Sequence, residues 1–402
     1  MFPSFSLGWR ISEEKFFQPI SLYVQNLKLR GSWGKLGNQQ IDDYQGYSTF
    51  GTGYAYLFNG AISTSYTETV MGNPFITWET STNYNIGLDL SVLDGRMNFS
   101  FDYYRRLTDD ILLKLETPAI LGISPSMQNA GSVENKGWEL SLNWSDKLGD
   151  EFRYSVGFNL SDVRNKVVDL KGYKSPTSSL TARIEGEPLD AIFGWKTLGL
   201  CVNEEQYNQY KDVMKSYNVN WGIGDIIIDD RNNDKVIDAS DKTIIGNQIP
   251  RFTYSLNLGF EYKNWDFSCL LQGVGKADGY MGIDVLEPLG TKTALRDHYT
   301  DSFNPKNPNP KAYYPRMSNS SRLNYGNFSH WVQDASYLRL KNIQLGYTFK
   351  WEYLGISALR LSVSGQNLFT VTKFKVFDPE SALNSFSYPN ISTLSFGINL
   401  TF

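Results

Sequence analysis

The sequence is poor in cysteine and histidine and has no long apolar run, and each shortage closes a class of function. The two cysteines, Cys201 and Cys269, lie far apart, and Cys269 falls inside a strand-like stretch, so no disulfide framework is implied. Two histidines, His298 and His330, are scant material for a histidine zinc site or a Ser-His-Asp triad. No apolar run reaches the roughly 18 residues of a membrane-spanning helix. Basic excess is also missing: a net charge of −4 and a pI near 5.4 argue against nucleic acid as a partner. The opening Met1-Phe-Pro-Ser-Phe has neither the basic region nor the apolar core of a secretory signal. For an exported protein, the expectation is a fragment whose N-terminal portion is missing.

Aromatic residues are plentiful, with 25 Tyr, 24 Phe and 10 Trp. The mean hydropathy of −0.36 reads as soluble, yet a membrane β-barrel escapes that test, because only alternate residues of each strand face lipid. Alternation is what the chain shows. Tyr84, Ile86, Leu88 and Leu90 share one face, and after a turn at Asp94-Gly95 the return strand carries Met97, Phe99, Phe101 and Tyr103. The pattern repeats at Trp138–Trp144 with Phe152–Leu160, then at Phe252–Tyr262 with Trp265–Leu271 across Lys263-Asn264. It occurs again at Ile343–Phe349 with Leu359–Val363, and finally along Leu394–Phe402. Shorter candidates lie at residues 5–11 and 27–33. Leu338 and Leu340 are out of phase with Ile343 and Leu345, which predicts a bulge or a strand end.

Connection lengths alternate. Short turns at 92–96, 145–151, 263–264 and 350–358 contrast with long polar loops near 107–135, 162–250, 274–335 and 366–390. An outer-membrane barrel has short turns on one side and long loops on the other. The fold class expected is therefore all-β, an antiparallel transmembrane β-barrel, with residues 1–402 as one barrel portion.

Several stretches resemble SusC/RagA-type TonB-dependent transporters. They are Phe2-Pro-Ser-Phe-Ser-Leu-Gly-Trp-Arg-Ile-Ser, Trp78-Glu-Thr-Ser-Thr-Asn-Tyr-Asn-Ile-Gly-Leu-Asp and Gly131-Ser-Val-Glu-Asn-Lys-Gly-Trp-Glu-Leu, followed by Gly246-Asn-Gln-Ile-Pro-Arg-Phe, Asp334-Ala-Ser-Tyr-Leu-Arg-Leu-Lys-Asn and Ser364-Gly-Gln-Asn-Leu-Phe-Thr. The C-terminus, through Ser395, Gly397, Leu400 and Phe402, is similar to the signal read by the outer-membrane assembly machinery. The resemblance implies the C-terminal part of a 22-stranded barrel, without the N-terminal plug and the TonB-contacting segment. It also implies the outer membrane of a Gram-negative cell, active import of an oligosaccharide or peptide, a SusD-like surface lipoprotein as partner, and no enzymatic activity. Two alternatives remain open: a siderophore or cobalamin receptor of the same architecture, and a soluble surface carbohydrate-binding β-protein. In the soluble protein Trp138, Trp144 and Trp265 would sit in a dry core.

Two sets of residues are candidates for binding. Asp230, Asn232 and Asp234 occupy positions one, three and five of an EF-hand-like loop. Val236 would offer a carbonyl at seven, Ile237 an apolar anchor at eight, and Asp241 the closing carboxylate at twelve, with Asp238 reaching the ion through water. Such spacing suits Ca²⁺, which takes six to eight oxygen ligands, in a structural role. Lys235 stands at position six, where glycine makes the sharp turn; the same residues also read as a solvated Asx-rich turn. The second set is aromatic: Trp195, Trp221, Tyr280, Tyr313, Tyr314 and Trp331 in long loops, able to stack on sugar or peptide or to form a loop core. Residues 304–310, rich in Asn and Pro, read as a stiff extended loop. The carboxylate pairs Asp109-Asp110 and Asp229-Asp230 carry no glycosidase geometry by adjacency alone.

Overall fold

A computed structural model describes residues 1–114, 119–172, 179–282, 300–317, 323–353, 356–375, 378–381 and 388–402. The chain divides into two compact units. The first is Met1–Leu140 with Val163–Ser175 and Arg183–Leu189; the second is Ser141–Asp162 with Pro176–Ala182 and Asp190–Phe402.

The wall strands are β1 (Ser4–Arg10), β2 (Val24–Asn38), β3 (Glu79–Val92), β4 (Met97–Asp109), β5 (Ser132–Leu148), β6 (Phe152–Asp169), β7 (Arg251–Tyr262), β8 (Trp265–Lys276), β9 (Tyr337–Tyr353), β10 (Ile356–Gln366) and β11 (Thr393–Thr401). In the first unit β1 through β4 pair antiparallel in chain order. In the second, β6 through β11 do the same.

Register explains why the alternation matters. Leu29, Leu88 and Phe101 fall in one cross-strand row of the first unit, and Gly31, Ile86 and Tyr103 in the next. In the second unit a single row runs Phe152, Tyr262, Trp265, Tyr347, Leu361, Ile398 across six strands. Rings pack along this row and the one beside it, with Trp265 edge-on to Tyr347 at 4.7 Å and Phe260 stacked on Phe267 at 4.9 Å. Yet Ile86, Phe396 and Ile398 are 66–76% exposed. In each unit an apolar face that the described residues leave uncovered is suited to hydrocarbon and not to water. Trp265 lies on that face, 43% exposed, outside any dry core.

The opposite face is polar, and glycine lets it build ion pairs across strands. Arg30 reaches over Gly87 to hold Asp89 (2.8 and 2.9 Å) and Asp102 (3.0 and 2.9 Å). A Cβ on Gly87 would lie 2.6 Å from Asp102 Oδ1 and 2.7 Å from Arg30 Cζ. The second unit repeats the device, with Arg360 pairing Asp266 where Gly346 leaves room.

The expected bulge is present. Pairing of β8 with β9 passes from Leu270↔Asn342 to Leu271↔Leu340, so Lys341 is the extra residue, and it keeps Leu340 and Ile343 on one face. The turn at Lys263-Asn264 is as expected, with Lys263 at φ 54°. Of the expected turn at 350–358, the strands leave only residues 354–355, which lie outside the described residues.

The expected loops need correcting. β5 and β6 run 17 and 18 residues, well past the roughly ten needed to cross a bilayer, so the strands invade the ranges 107–135 and 162–250. An additional hairpin, Thr49–Phe58 with Ala61–Val70, forms its own two-stranded sheet and touches the rest of the unit through a bridge from Val70 to Ser124. It turns at Asn59-Gly60, both at positive φ, a dipeptide that favours tight hairpins. Residues 304–310 are folded rather than extended: the Asn304 and Asn309 side chains accept from the amides of Lys306 and Lys311, each at 3.0 Å.

Candidate functional site

The second unit carries a folded lobe within what the sequence suggested to be polar loops. Ala191–Trp195 pairs with Thr181–Ala182 and Lys242–Gly246, and Thr197–Leu200 pairs with Ile226–Ile228. Between them runs α1 (Glu204–Tyr217). Its start is built from sequence: Asn203 Oδ1 accepts from the Gln206 amide at 2.9 Å, and Gln206 Oε1 accepts from the Val202 amide at 2.8 Å. Glu204 and Glu205 in the first turn and Lys215 in the last suit the helix dipole.

The aromatic candidates converge here, as a core. Trp221, Tyr280, Tyr314 and Trp331 are at most 5% exposed, among Ile226, Ile227, Met214 and Phe328. Trp195 and Tyr313 pack against them, partly buried. Polar handles are satisfied internally: Trp221 Nε1 donates to Ile226 O (2.9 Å), Trp331 Nε1 to Asn324 O (2.8 Å) and Tyr280 Oη to Gly326 O (2.8 Å). Burial is the physical reason that four of the six rings display no stacking surface for sugar or peptide, which corrects that expectation. Trp195 has one ring face under Lys242 Nζ, 4.0 Å from its centroid, and donates to Asp238 O at 2.8 Å. His330 stacks on Tyr313 (5.0 Å) and its Nε2 lies 2.7 Å from Tyr313 O, so that nitrogen carries the proton. Burial pushes its pKa below the ordinary 6.5. His298 lies outside the described residues.

A buried carboxylate, which sequence reading did not single out, joins the lobe's two main segments. Asp225, fully buried, accepts from Arg316 Nε and Nη2 (both 2.7 Å), Asn324 Nδ2 (2.9 Å) and the Gly222 amide (2.8 Å). Asn324 Oδ1 in turn accepts from the Ile226 amide (2.9 Å). The pairing raises the Arg316 pKa. Nearby Cys201 is fully buried, and desolvation, aided by the Asp225 charge, pushes its thiol up to about 11. It is therefore an inert core thiol.

The Asp230–Asp241 loop closes on itself. Lys235 adopts φ +68° and Asn233 φ +59°, so the lysine takes the left-handed conformation that position six demands. Asp230 Oδ2 accepts the Lys235 amide (2.9 Å), Asn232 Oδ1 the Asp234 amide (3.0 Å) and Asp234 Oδ1 the Val236 amide (2.8 Å). Asp241, fully buried, accepts the amides of Arg231 and Asp238 (3.0 and 2.9 Å). Ile237 is buried in the lobe core. Asp238 is held below the usual carboxylate range by the Ser240 hydroxyl and amide. Asp230 Oδ1 is a buried oxygen with no hydrogen-bond partner. Among the described residues no three His, Cys, Asp or Glu side chains converge as a metal cage. A cation would therefore draw on Asn232 and the Val236 carbonyl beside Asp230 and Asp234.

At the C-terminus, Ser395 pairs with Ser364, Gly397 with Ser362 and Leu400 with Leu359 along β10. Phe402 follows β11 and is 84% exposed.

Comparison with known proteins follows the same lines. The family model described as TonB dependent receptor-like, beta-barrel matches residues 1–368. TonB-dependent receptor P26 of Formosa agariphila is 30% identical over all of this chain and 42% of its own length. TonB-dependent receptor SusC of Bacteroides thetaiotaomicron is 28% identical over all of this chain and 40% of its own length. The chain thus spans about two fifths of the curated relatives it matches. A solved structure of the RagAB peptide transporter covers all of this chain and 43% of its own, with a TM-score of 0.80 at 24% identity, a likeness of fold. With its antiparallel wall, its apolar outer rows and a family match over nearly its whole length, the chain belongs to the TonB-dependent receptor-like β-barrel family, of the SusC/RagA type.

Proposed function

We propose that these residues form the C-terminal part of a closed outer-membrane barrel of the 22-stranded type, which actively imports an oligosaccharide or peptide. The plug and the TonB-contacting segment belong to sequence other than these residues, and a SusD-like surface lipoprotein captures cargo with the lobe side of the barrel. The observation that carries the reading is the apolar row running unbroken from Phe152 on β6 to Ile398 on β11, because a face of that extent is stable only against lipid. The polar face, with Arg30 and Arg360 clamped to their aspartates, then lines the lumen. The structural relative RagAB is described as a peptide transporter, which supports the peptide half of that cargo class.

The same reading assigns local roles. Ser395, Gly397, Leu400 and Phe402 present the assembly signal. The Asp230–Asp241 loop holds a structural Ca²⁺ through Asp230, Asn232, Asp234 and the Val236 carbonyl, while Asp241, both of whose oxygens accept backbone amides, braces the loop from within; the unpartnered Asp230 Oδ1 supports this. When bound, the ion would lock the loop that anchors Ile237 in the lobe core.

Uptake by intact cells tests the transport reading. Labelled oligosaccharides, oligopeptides, ferric siderophores and cobalamin are offered to cells with and without the gene, before and after collapse of the proton-motive force. Gene-dependent, energy-dependent accumulation of one class is the expected result. Accumulation that survives loss of the proton-motive force, or that is confined to iron chelates or cobalamin, would contradict the proposal.

A further inference from the structure

Where β7, β8 and β9 give way to the lobe side, the second unit holds a cavity of about 340 Å³. It lies on the polar face of the wall, since its Val274 and Tyr337 pair with each other in register with Thr253, opposite in parity to the apolar row. Its floor and sides are largely apolar: Pro250, Val274, Ala277, Ala335 and Pro379. At the small end of the range for ligand pockets, it admits one side chain rather than a chain of sugar rings.

The polar lining decides what that side chain must be, because acceptors outnumber free donors there, the Tyr337 hydroxyl being bonded to Glu380. Gln248 Nε2 donates to Asp190 O (2.9 Å), and a carbonyl partner fixes the amide so that Oε1 is the end left over. Ser381 Oγ donates to Asp378 O (3.2 Å). Glu380 is neutralised by Arg339 (2.9 Å) and Lys341 (2.6 Å), with its other oxygen accepting from Asn390 (2.9 Å). Asp278 differs: Oδ2 accepts the Asn247 amide (2.8 Å), and no cation pairs with it among the described residues. Around the cavity three carboxylates, Asp278, Asp378 and Glu380, face two cations, Arg339 and Lys341. What is left is an excess of acceptors at the end of an apolar sleeve.

We infer that this cavity is a cargo subsite for a basic residue of a peptide, its methylenes against Pro250, Val274 and Pro379 and its cationic nitrogen on Asp278. This rests on the import reading and narrows its cargo. An amino sugar would bring the same ammonium, but its ring hydroxyls need donors as well as acceptors, and the apolar sleeve offers them neither.

The test is calorimetric binding to the intact protein in detergent. The probes are N-acetylated, C-amidated Gly-Lys-Gly, the same peptide with norleucine for lysine, and glucosamine. A charge-assisted hydrogen bond of this kind corresponds to a preference of about tenfold for the lysine peptide. That preference should vanish in Asp278→Asn, where the asparagine oxygen still accepts the Asn247 amide and the fold is kept. Ala277→Leu, which fills the cavity without touching a charge, should remove binding of both peptides. Equal binding of the two peptides, no binding of either, a lysine preference that survives Asp278→Asn, or tighter Asp278-dependent binding of glucosamine overturns the subsite. Binding here needs no energy source, so loss of uptake with binding intact counts against the import reading alone.

Discussion

Removing the Asp225 carboxylate should unfold the lobe while leaving the wall intact. In Asp225→Ala four hydrogen bonds disappear at a fully buried position. Arg316 is 29% exposed at its side chain and can turn toward water, so its share of the loss is modest. Asn324 is 1% exposed, and its stranded donor costs about 1–3 kcal/mol. With the Arg316 pairing added, the total is about 3–5 kcal/mol, as for other broken buried pairs. At a urea dependence of about 2 kcal/mol per molar for a small folded region, that is a shift of roughly 2 M in the midpoint.

The assay is proteolysis of the native protein in graded urea, following cleavage between residues 197 and 246, with gel mobility before and after boiling as the check that the wall stays folded. Arg316→Leu alone should be at least as harmful, since it buries an uncompensated charge. The double variant should lose much less than the sum of the two. A midpoint within about 0.5 M of the parent for Asp225→Ala, or additive losses in the double variant, would refute the coupling.

Three further outcomes follow from the same geometry. Gly87→Ala drives a Cβ into the Arg30–Asp102 clamp and should cost about 1–3 kcal/mol, seen as a lower boiling threshold for the mobility shift; Gly31→Ala, with open space at its Cβ, should not. His330 has its folded pKa depressed below 6.5 by burial, so between the two values the unfolded state binds more protons and stability falls as pH falls. The lobe should therefore lose stability from about pH 6.5 downward, levelling off below the folded pKa, and His330→Gln should flatten that slope. Calcium should protect residues 230–241 from proteolysis in the parent and not in Asp230→Ala/Asp234→Ala, with magnesium inert; protection that is equal in both proteins would exclude the ion from this loop.

The wall was legible because its physics is local. One apolar face and one polar face force a period of two, and a one-residue slip would turn every side chain over. That is why Leu338 and Leu340, out of phase with Ile343, pointed to a bulge, and Lys341 supplies it. The hairpin at 49–70 escaped notice for the same reason. Its large apolar residues Phe50, Tyr56, Leu57, Phe58 and Tyr66 are exposed on a ribbon that buries neither face, so nothing imposes alternation, and only Asn59-Gly60 marked it.

The lobe is a different problem, and the aromatic candidates show why. Trp221 and Trp331 are equally consistent, as letters, with a stacking platform and with a core; what separates the two is whether other residues cover them. Here the cover comes from segments about a hundred positions apart, with Asp225 meeting Asn324 across 99 residues, and no window of sequence contains that contact. The loop at 230–241 falls between the two cases. Its turn is written in the spacing of Asp230, Asn232 and Asp234, and Lys235 adopts the left-handed angle that the pattern requires of position six. An adverse side chain in a required conformation persists when the surroundings determine it. Those surroundings are the Asp230 and Asp241 carboxylates on backbone amides and Ile237 in the core. The loop's shape was therefore readable from its own residues, whereas the burial that holds it depends on the rest of the lobe.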